Sequence, residues 1–211
     1  MSALFQPQRV LLFGASGLLG GTLAPLLTAR GIALDVPTHA DCDIAEEAAV
    51  RARIGSFAPD LVINCAAYNA VDEAESQADR AARNNALAPG ILARASPVLV
   101  HFSTDFVFGA PAARPFREDD APSPQSAYAR SKAEGDAAVL AGNPRHFLFR
   151  VGCLYGRGTR GFGSNLLRRL RAGERIRCDA ERRVQPTWVK PLAAQILLAV
   201  EQGGFGLFHA M

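Results

Sequence analysis

Tyr128 and Lys132 stand four residues apart, Thr104 lies upstream of them, and Gly14, Gly17 and Gly20 form a Gly-x-x-Gly-x-x-Gly run near the start of the chain. A tyrosine four residues ahead of a lysine shares its helix face, one turn away. An ammonium so placed favours the phenolate and is expected to lower the phenol pKa from its usual value of about 10. Such a hydroxyl exchanges protons near neutral pH, the work of a general acid in carbonyl reduction. In that chemistry a hydride goes to the carbonyl carbon and Tyr128 protonates the developing alkoxide. Lys132 tunes Tyr128 and holds the nicotinamide ribose. The Thr104 hydroxyl bonds the carbonyl oxygen as charge grows on it. Tyr-x-x-x-Lys alone is a common coincidence; after a dinucleotide-type turn and a Ser103-Thr104 pair closing a strand it becomes a signal.

The cofactor side starts at Gly14-Ala15-Ser16-Gly17-Leu18-Leu19-Gly20. Glycine permits a tight turn and close approach of the backbone to a pyrophosphate, and the helix that follows offers its N-terminus to the anion. The end of the second strand chooses between NAD and NADP, because an acid there bonds the ribose 2′-hydroxyl and repels a 2′-phosphate. Asp35 falls within that strand, whereas Thr38 and His39 fall at its end and repel no phosphate, so NADPH is expected and NADH is the alternative. Asp43 and Ile44 read equally as flanking the adenine or, for Asp43, as capping the next helix. Cys65, Ala66, Ala67 and Tyr68 end the third strand, where small side chains let a cofactor lie against the sheet edge. Cys65 has no histidine near it in sequence and reads as a packing residue. His101, inside an apolar run, reads as a satisfied core histidine.

These residues need a scaffold that gathers strand ends. Short apolar runs at Arg9–Gly14, Ile32–Val36, Asp60–Cys65, Pro97–Ser103, His146–Val151 and Gly206–Ala210 read as strands. Helical spacing covers Leu18–Arg30, Ala45–Phe57, Ala78–Ala95 and Gln125–Ala141, with Pro25 expected to kink the first. Ala110 to Pro124 reads as a long Pro-rich loop. Such alternation, with strands apolar on both faces, predicts an α/β fold: a doubly wound parallel sheet of the Rossmann type. Ligands bind that sheet at the carboxyl ends of its strands, where Gly14–Gly20, Thr38–His39, Cys65–Tyr68, Thr104–Phe106 and Val151–Cys153 all fall. Residues 1–150 are expected to form the dinucleotide-binding domain with the Tyr-Lys helix. Residues 151–211 would add the remaining elements and a small, shortened substrate-binding part, not an independent domain.

The 211 residues are 49% hydrophobic and 20% charged, a soluble globular balance. No apolar run approaches the roughly 20 residues of a membrane span and no secretory leader is recognisable, so a cytoplasmic protein is expected. Cys42, Cys65, Cys153 and Cys178 lie far apart, which argues for reduced thiols and against a zinc site. No metal is indicated, with Glu73 and Glu75 the acidic residues that leave a divalent ion open. Charge is uneven: residues 1–144 carry 11 basic and 16 acidic side chains, residues 145–211 carry 12 and 4. Arg168, Arg169, Arg171, Arg175, Arg177, Arg182 and Arg183 read either as an attractor for a diphosphate substrate or as a solvated helix face and charged hairpin. Nucleic acid is not implied, since no aromatics interleave these charges. A homodimer is the commonest expectation for a soluble enzyme.

Together these motifs resemble the extended short-chain dehydrogenase/reductase superfamily, and within it the dTDP-4-dehydrorhamnose reductase family. The resemblance rests on Val62 to Glu75, Phe102 to Gly109, Pro115 to Pro124 leading into Tyr128 to Gly135, the Asn84 to Pro89 segment, and Arg150. It implies NADPH- or NADH-dependent reduction of the 4-keto group of a nucleotide-linked deoxysugar in dTDP-rhamnose biosynthesis. It puts Thr104, Tyr128 and Lys132 in catalytic positions, Gly14, Ser16, Gly17, Leu18, Leu19, Ala66, Ala67 and Tyr68 in cofactor positions, and Asp105, Phe106 and Cys153 on the substrate side. Departures gather on that side: Phe106 and Cys153 stand where the family usually has Tyr and Trp, and Glu181 to Thr187 replaces an Asp-Gln-x-Gly-x-Pro-Thr segment. Two alternatives follow from the same resemblance. One is a sugar-nucleotide epimerase or another ketone reductase. The other is a non-catalytic NADP-binding regulatory subunit, like the methionine adenosyltransferase beta subunit.

Overall fold

The structure, a computed structural model, describes residues 5–109, 114–157, 161–177 and 184–211. Cys178, Glu181, Arg182, Arg183 and the start of the Pro-rich loop lie outside them. Six parallel strands form the central sheet: β1 (Arg9–Phe13), β2 (Ala33–Asp35), β3 (Leu61–Asn64), β4 (Leu99–Thr104), β5 (His146–Val151) and β8 (Gly206–Ala210), in the order β2-β1-β3-β4-β5-β8. The order reverses at β1, because the crossovers on either side of β2 leave β1 between β2 and β3. A crevice therefore opens at the carboxyl ends of β1 and β3, where doubly wound sheets take their ligands.

Alternation along each strand divides the core. Val10 and Leu12 of β1 face one layer with Ile63, Val100 and Phe149. Leu11 and Phe13 face the other with Val62, Leu99 and Leu148. Both faces are covered, so the strands read as continuous apolar runs. On the first face lies α1 (Leu18–Thr28), whose Leu19, Leu23 and Leu27 repeat every four residues and point inward. Its helix continues through Pro25. Beside it packs α7 (Val189–Gln202), with Leu192, Ile196, Leu197 and Val200 buried; each such side chain contributes about 1.5–3 kcal/mol. On the second face lie α2 (Glu47–Phe57), α4 (Ala88–Ala95) and α5 (Ala127–Gly142).

Three features depart from the sequence expectation. The single helix expected over Ala78–Ala95 is α3 (Ala78–Ala82), a π turn at Arg83–Leu87, and then α4. The α7 helix was not anticipated, although its buried residues recur at helical spacing. Beyond β5 the chain also builds a two-stranded parallel sheet of β6 (Cys153–Tyr155) and β7 (Pro186–Trp188), with α6 (Phe162–Arg171) between them in sequence. At the outer edge of the main sheet, the His209 amide of β8 donates to Glu118 Oε1 at 2.9 Å, and the Phe108 and Phe116 rings stack 4.2 Å apart. Among the described residues no helix is long and apolar enough to cross a membrane.

Candidate active site

The glycine turn is pressed against the end of β3. Gly14 has φ +78°, and a Cβ there would come within 2.5 Å of the Ala66 amide nitrogen. A Cβ on Gly20 would meet the Gly14 carbonyl at 2.3 Å. Only glycine at both places lets α1 start this close to the sheet. Gly17 is the N-cap of α1 and makes no side-chain cap bond; Ser16 and Gly17 are exposed, and Leu18 is half-buried. This is a cradle suited to a pyrophosphate. Leu19 turns its side chain into the core, so only its backbone faces the cradle.

At the end of β2, Asp35 is the last strand residue, and its carboxylate takes Arg53 Nε at 2.6 Å. Thr38 and His39 are exposed in the following turn. Asp41, which the sequence reading passed over, accepts both the Thr38 amide, at 2.9 Å, and the Thr38 hydroxyl, at 2.7 Å. Those bonds hold its carboxyl below the usual range. Thr38 thus carries an acid beside it. Asp43 does not cap α2, whose N-cap is Glu46. It accepts the Ala45 amide at 2.9 Å and pairs with Arg83 at 2.9 Å. Ile44 is buried in the core, which leaves its backbone alone to flank a ring.

Cys65, Ala66, Ala67 and Tyr68 leave β3 half-buried. The segment is held by Asn85, from the π turn: its Oδ1 accepts the Tyr68 amide at 2.9 Å while its Nδ2 donates to the Tyr68 carbonyl at 3.0 Å and to Ser131 Oγ at 3.0 Å. Asn84, the residue singled out in sequence, only bonds back to the Arg80 carbonyl. A Cβ on Gly135 of α5 would lie 2.0 Å from the Asn85 carbonyl oxygen, so glycine there lets α5 sit on the π turn. Burial pushes the Cys65 thiol far up, consistent with a packing role. Tyr68 donates its hydroxyl to Glu73 at 3.1 Å, and Glu75 accepts the Ala127 amide at 2.8 Å at the start of α5. No group of three or more metal-ligating side chains gathers among the described residues.

Thr104 closes β4, and Tyr128 and Lys132 line the buried face of α5 beside it. Ser126 caps α5 by accepting the Ala129 amide at 3.1 Å, which fixes where the Tyr128 turn begins. The Thr104 hydroxyl acts to lower the Tyr128 phenol pKa; it donates to Asp105 Oδ1 at 3.1 Å and accepts the Phe106 amide at 3.2 Å. Lys132 donates Nζ to the Phe102 carbonyl at 2.6 Å. The electrostatics correct the sequence expectation for Tyr128. Burial pushes its phenol up to about 12, outweighing the opposite effect of the Thr104 hydroxyl, and Lys132 is not among the groups acting on it. Burial also pushes Lys132 down to about 8, with Asp136 acting the other way. The ammonium lies deeper than helix spacing alone suggests. His101 is only half-satisfied: its Nδ1 meets the Asn64 amide at 3.2 Å, and Nε2 has no partner within hydrogen-bonding distance.

On the substrate side, the Phe106 ring meets Tyr128 edge-on at 6.1 Å, and Asp105 precedes it in the same single turn. Cys153 opens β6, its amide on the Gln185 carbonyl at 2.9 Å. Arg168, Arg169 and Arg171 crowd the exposed last turn of α6, where Arg169 pairs with Glu174 at 2.6 Å. Cations there complement the helix dipole. Arg175 and Arg177 follow, also exposed.

The profile of the family described as the RmlD substrate binding domain matches residues 8–211. A probable dTDP-4,6-dihydroxy-2-methyloxan-3-one 4-ketoreductase of Streptomyces antibioticus is 39% identical over 208 residues, covering 96% of this chain and 70% of its own. A dTDP-4-dehydrorhamnose reductase of Mycolicibacterium smegmatis is 38% identical over 210 residues, covering 96% of this chain and 64% of its own. The dTDP-4-dehydrorhamnose reductase of Bacillus anthracis, solved in complex with NADP, superposes with a TM-score of 0.89 at 29% identity, over 97% of this chain and 75% of that one. The chain therefore spans about two thirds to three quarters of these relatives. With its glycine cradle, its strand-end threonine and its buried tyrosine-lysine helix face, the chain belongs to the dTDP-4-dehydrorhamnose reductase family.

Proposed function

We propose that the chain is an NADPH-dependent reductase of the 4-keto group of a dTDP-linked deoxysugar, with Thr104, Tyr128 and Lys132 as its catalytic residues. One observation carries the reading. Thr104 closes β4 and Tyr128 and Lys132 follow one turn apart on the buried face of α5, with Thr104 acting on the Tyr128 phenol, at the same sheet edge as the Gly14–Gly20 cradle. The cradle fits a dinucleotide, because Gly14 and Gly20 are the two points where a Cβ would collide with backbone. The NADP-bound relative supports NADPH as the cofactor. Gly14, Ser16, Gly17 and the backbones of Leu18 and Leu19 would hold its pyrophosphate, Ala66 and Ala67 its inner face, and Thr38 and His39 the adenosine end. Bound there, NADPH supplies the hydride.

The protein's own share is proton and charge management. A phenol held near 12 is fully protonated at neutral pH, and it gives up its proton only to an acceptor as basic as a developing alkoxide. Tyr128 therefore waits protonated and donates as the carbonyl oxygen becomes negative. Thr104, whose hydroxyl donates to Asp105 Oδ1 here, would turn it to the same oxygen, where a hydrogen bond strengthens as charge builds. Lys132, charged below about 8, would hold the nicotinamide ribose. Phe106 and Cys153 would form the wall against the sugar. We further propose residues 1–150 as the cofactor domain, a homodimeric assembly and a cytoplasmic location.

The test is loss of NADPH absorbance with dTDP-4-dehydrorhamnose, with NADPH binding measured separately by calorimetry. Turnover dependent on both supports the reading. Binding without turnover on any dTDP-4-keto sugar would sink it and favour the regulatory-subunit alternative.

A further inference from the structure

Beneath the catalytic helix face lies a charge cluster that the reaction as described does not use. Asp136 stands one helical turn beyond Lys132 on α5 and is 1% exposed. Its Oδ2 accepts Arg150 Nε at 3.0 Å from β5, with both side chains buried. Lys132 is equally deep, at 2% exposure. The groups acting with it are Asp136 on α5, His101 on β4 and the Phe102 carbonyl that takes its Nζ, with Arg150 on β5 bonded to Asp136. His101 supplies no charge, since burial and the neighbouring ammonium hold it well below its usual value. Among the described residues, Asp136 is the one acid that acts on Lys132.

Arg150 is itself fixed from outside. Its guanidinium lies 5.0 Å over the Phe108 ring, and Phe108 stacks on Phe116 and meets His209 edge-on at 5.6 Å. Arg150 never loses its charge, and the Asp136 carboxylate acts on both buried cations, with Glu118 a further acid acting on Arg150. Burial of two cations with no acid between them would expel the proton from whichever could release it, and only the lysine can.

We propose that Asp136 is a positioning residue of the active site: oriented by Arg150 and buried one turn from Lys132, its carboxylate keeps the Lys132 ammonium charged. The inference rests on the reading of Lys132 as a catalytic group, but its test does not need the substrate.

The chain contains only two lysines, Lys132 and Lys190. Protein labelled with carbon-13 at lysine Cε thus gives two resonances, assigned with Lys190→Arg, and each titrates in its own right. In the wild type the Lys132 resonance is expected to move near pH 8. Asp136→Asn should shift that midpoint down by about one unit or more, and Asp136→Glu should restore most of it. Asp136→Asn strands Arg150 without its partner, which can prevent folding. The double variant Asp136→Leu/Arg150→Met removes both charges, and its Lys132 midpoint should still lie below the wild-type value. A folded variant whose midpoint stays within about 0.3 units of wild type would overturn the proposal. With dTDP-4-dehydrorhamnose and NADPH, the basic limb of kcat/KM should move with the resonance. Wild type without turnover would sink the reductase reading instead, and the titration would still decide the role of Asp136.

Discussion

Two regions of the molecule are built to different standards. On the β4–α5 side, Phe102, Ser103, Thr104, Ser131, Lys132, Asp136 and Arg150 are all buried, and the backbone near the cradle tolerates no extra methyl at Gly14, Gly20 or Gly135. On the other side, the described side chains of α6 include none that is buried. Leu167 and Leu170 are 55% and 53% exposed, and Tyr155 and Trp188 are also open. Proton transfer depends on tenths of an ångström and on a dry surround, so its groups are locked by packing. On the proposed reading, recognition of a nucleotide and a sugar would depend on area and charge, which exposed apolar and arginine side chains could supply without a rigid frame.

The largest effect that tests this contrast is chemical. Tyr128→Phe is expected to lower kcat by about 10²–10⁴-fold, with NADPH affinity within about threefold of wild type; turnover within threefold would remove Tyr128 from the mechanism. Next come stabilities in urea. Leu27→Ala, in the core under α1, should cost about 2–5 kcal/mol, and Leu167→Ala about 0.5 kcal/mol or less; equal losses would erase the distinction between the regions. Gly135→Ala falls between, at about 1–3 kcal/mol, because α5 must lift off the Asn85 carbonyl. It should also lower kcat, by disturbing Ser131 and Tyr128. The pH dependence separates the two proposed catalytic groups. The wild-type basic limb is expected near pH 8, where Lys132 loses its charge, and not near 12, where Tyr128 would ionise. Stability should rise with pH from about 8 towards the ordinary lysine value near 10.4, since over that window the unfolded lysine holds a proton that the folded one has released. A flat melting profile there would contradict the burial of a charged Lys132. The smallest effect concerns cofactor choice: NADPH should bind more tightly than NADH, and Asp41→Asn should widen the preference by a further factor of about 2–5, by removing the acid beside Thr38.

The central strands β1, β3, β4 and β5 were legible because they are largely apolar on both faces, and the glycine turn because its geometry demands glycine. Thr104, Tyr128 and Lys132 could be placed together from helix spacing and strand ends. What the sequence did not carry was depth. The spacing of Tyr128 and Lys132 gives their face but not the burial that drives their pKa values apart, so the expected lowering of Tyr128 came out reversed. Asn85 escaped notice because its role arises in a π turn, a local insertion without a composition signal. Asp41 became visible only once the turn after β2 folded it onto Thr38. The strands β6 and β7, three residues each, are too short for any periodicity. The α7 helix, by contrast, had a readable face in Leu192, Ala193, Ile196, Leu197 and Val200.

The bond from the His209 amide to Glu118 has a bearing on how the molecule keeps to itself. β8 is an outermost strand, and an unoccupied row of donors there would invite a strand from another chain to add on and seed aggregation. Glu118 occupies one of those donors with a charged side chain, and the bond holds its carboxyl below the usual range. Because that carboxyl is held below the usual range, the guard should last through mild acid and fail only in acid strong enough to protonate it, where the strand edges could meet.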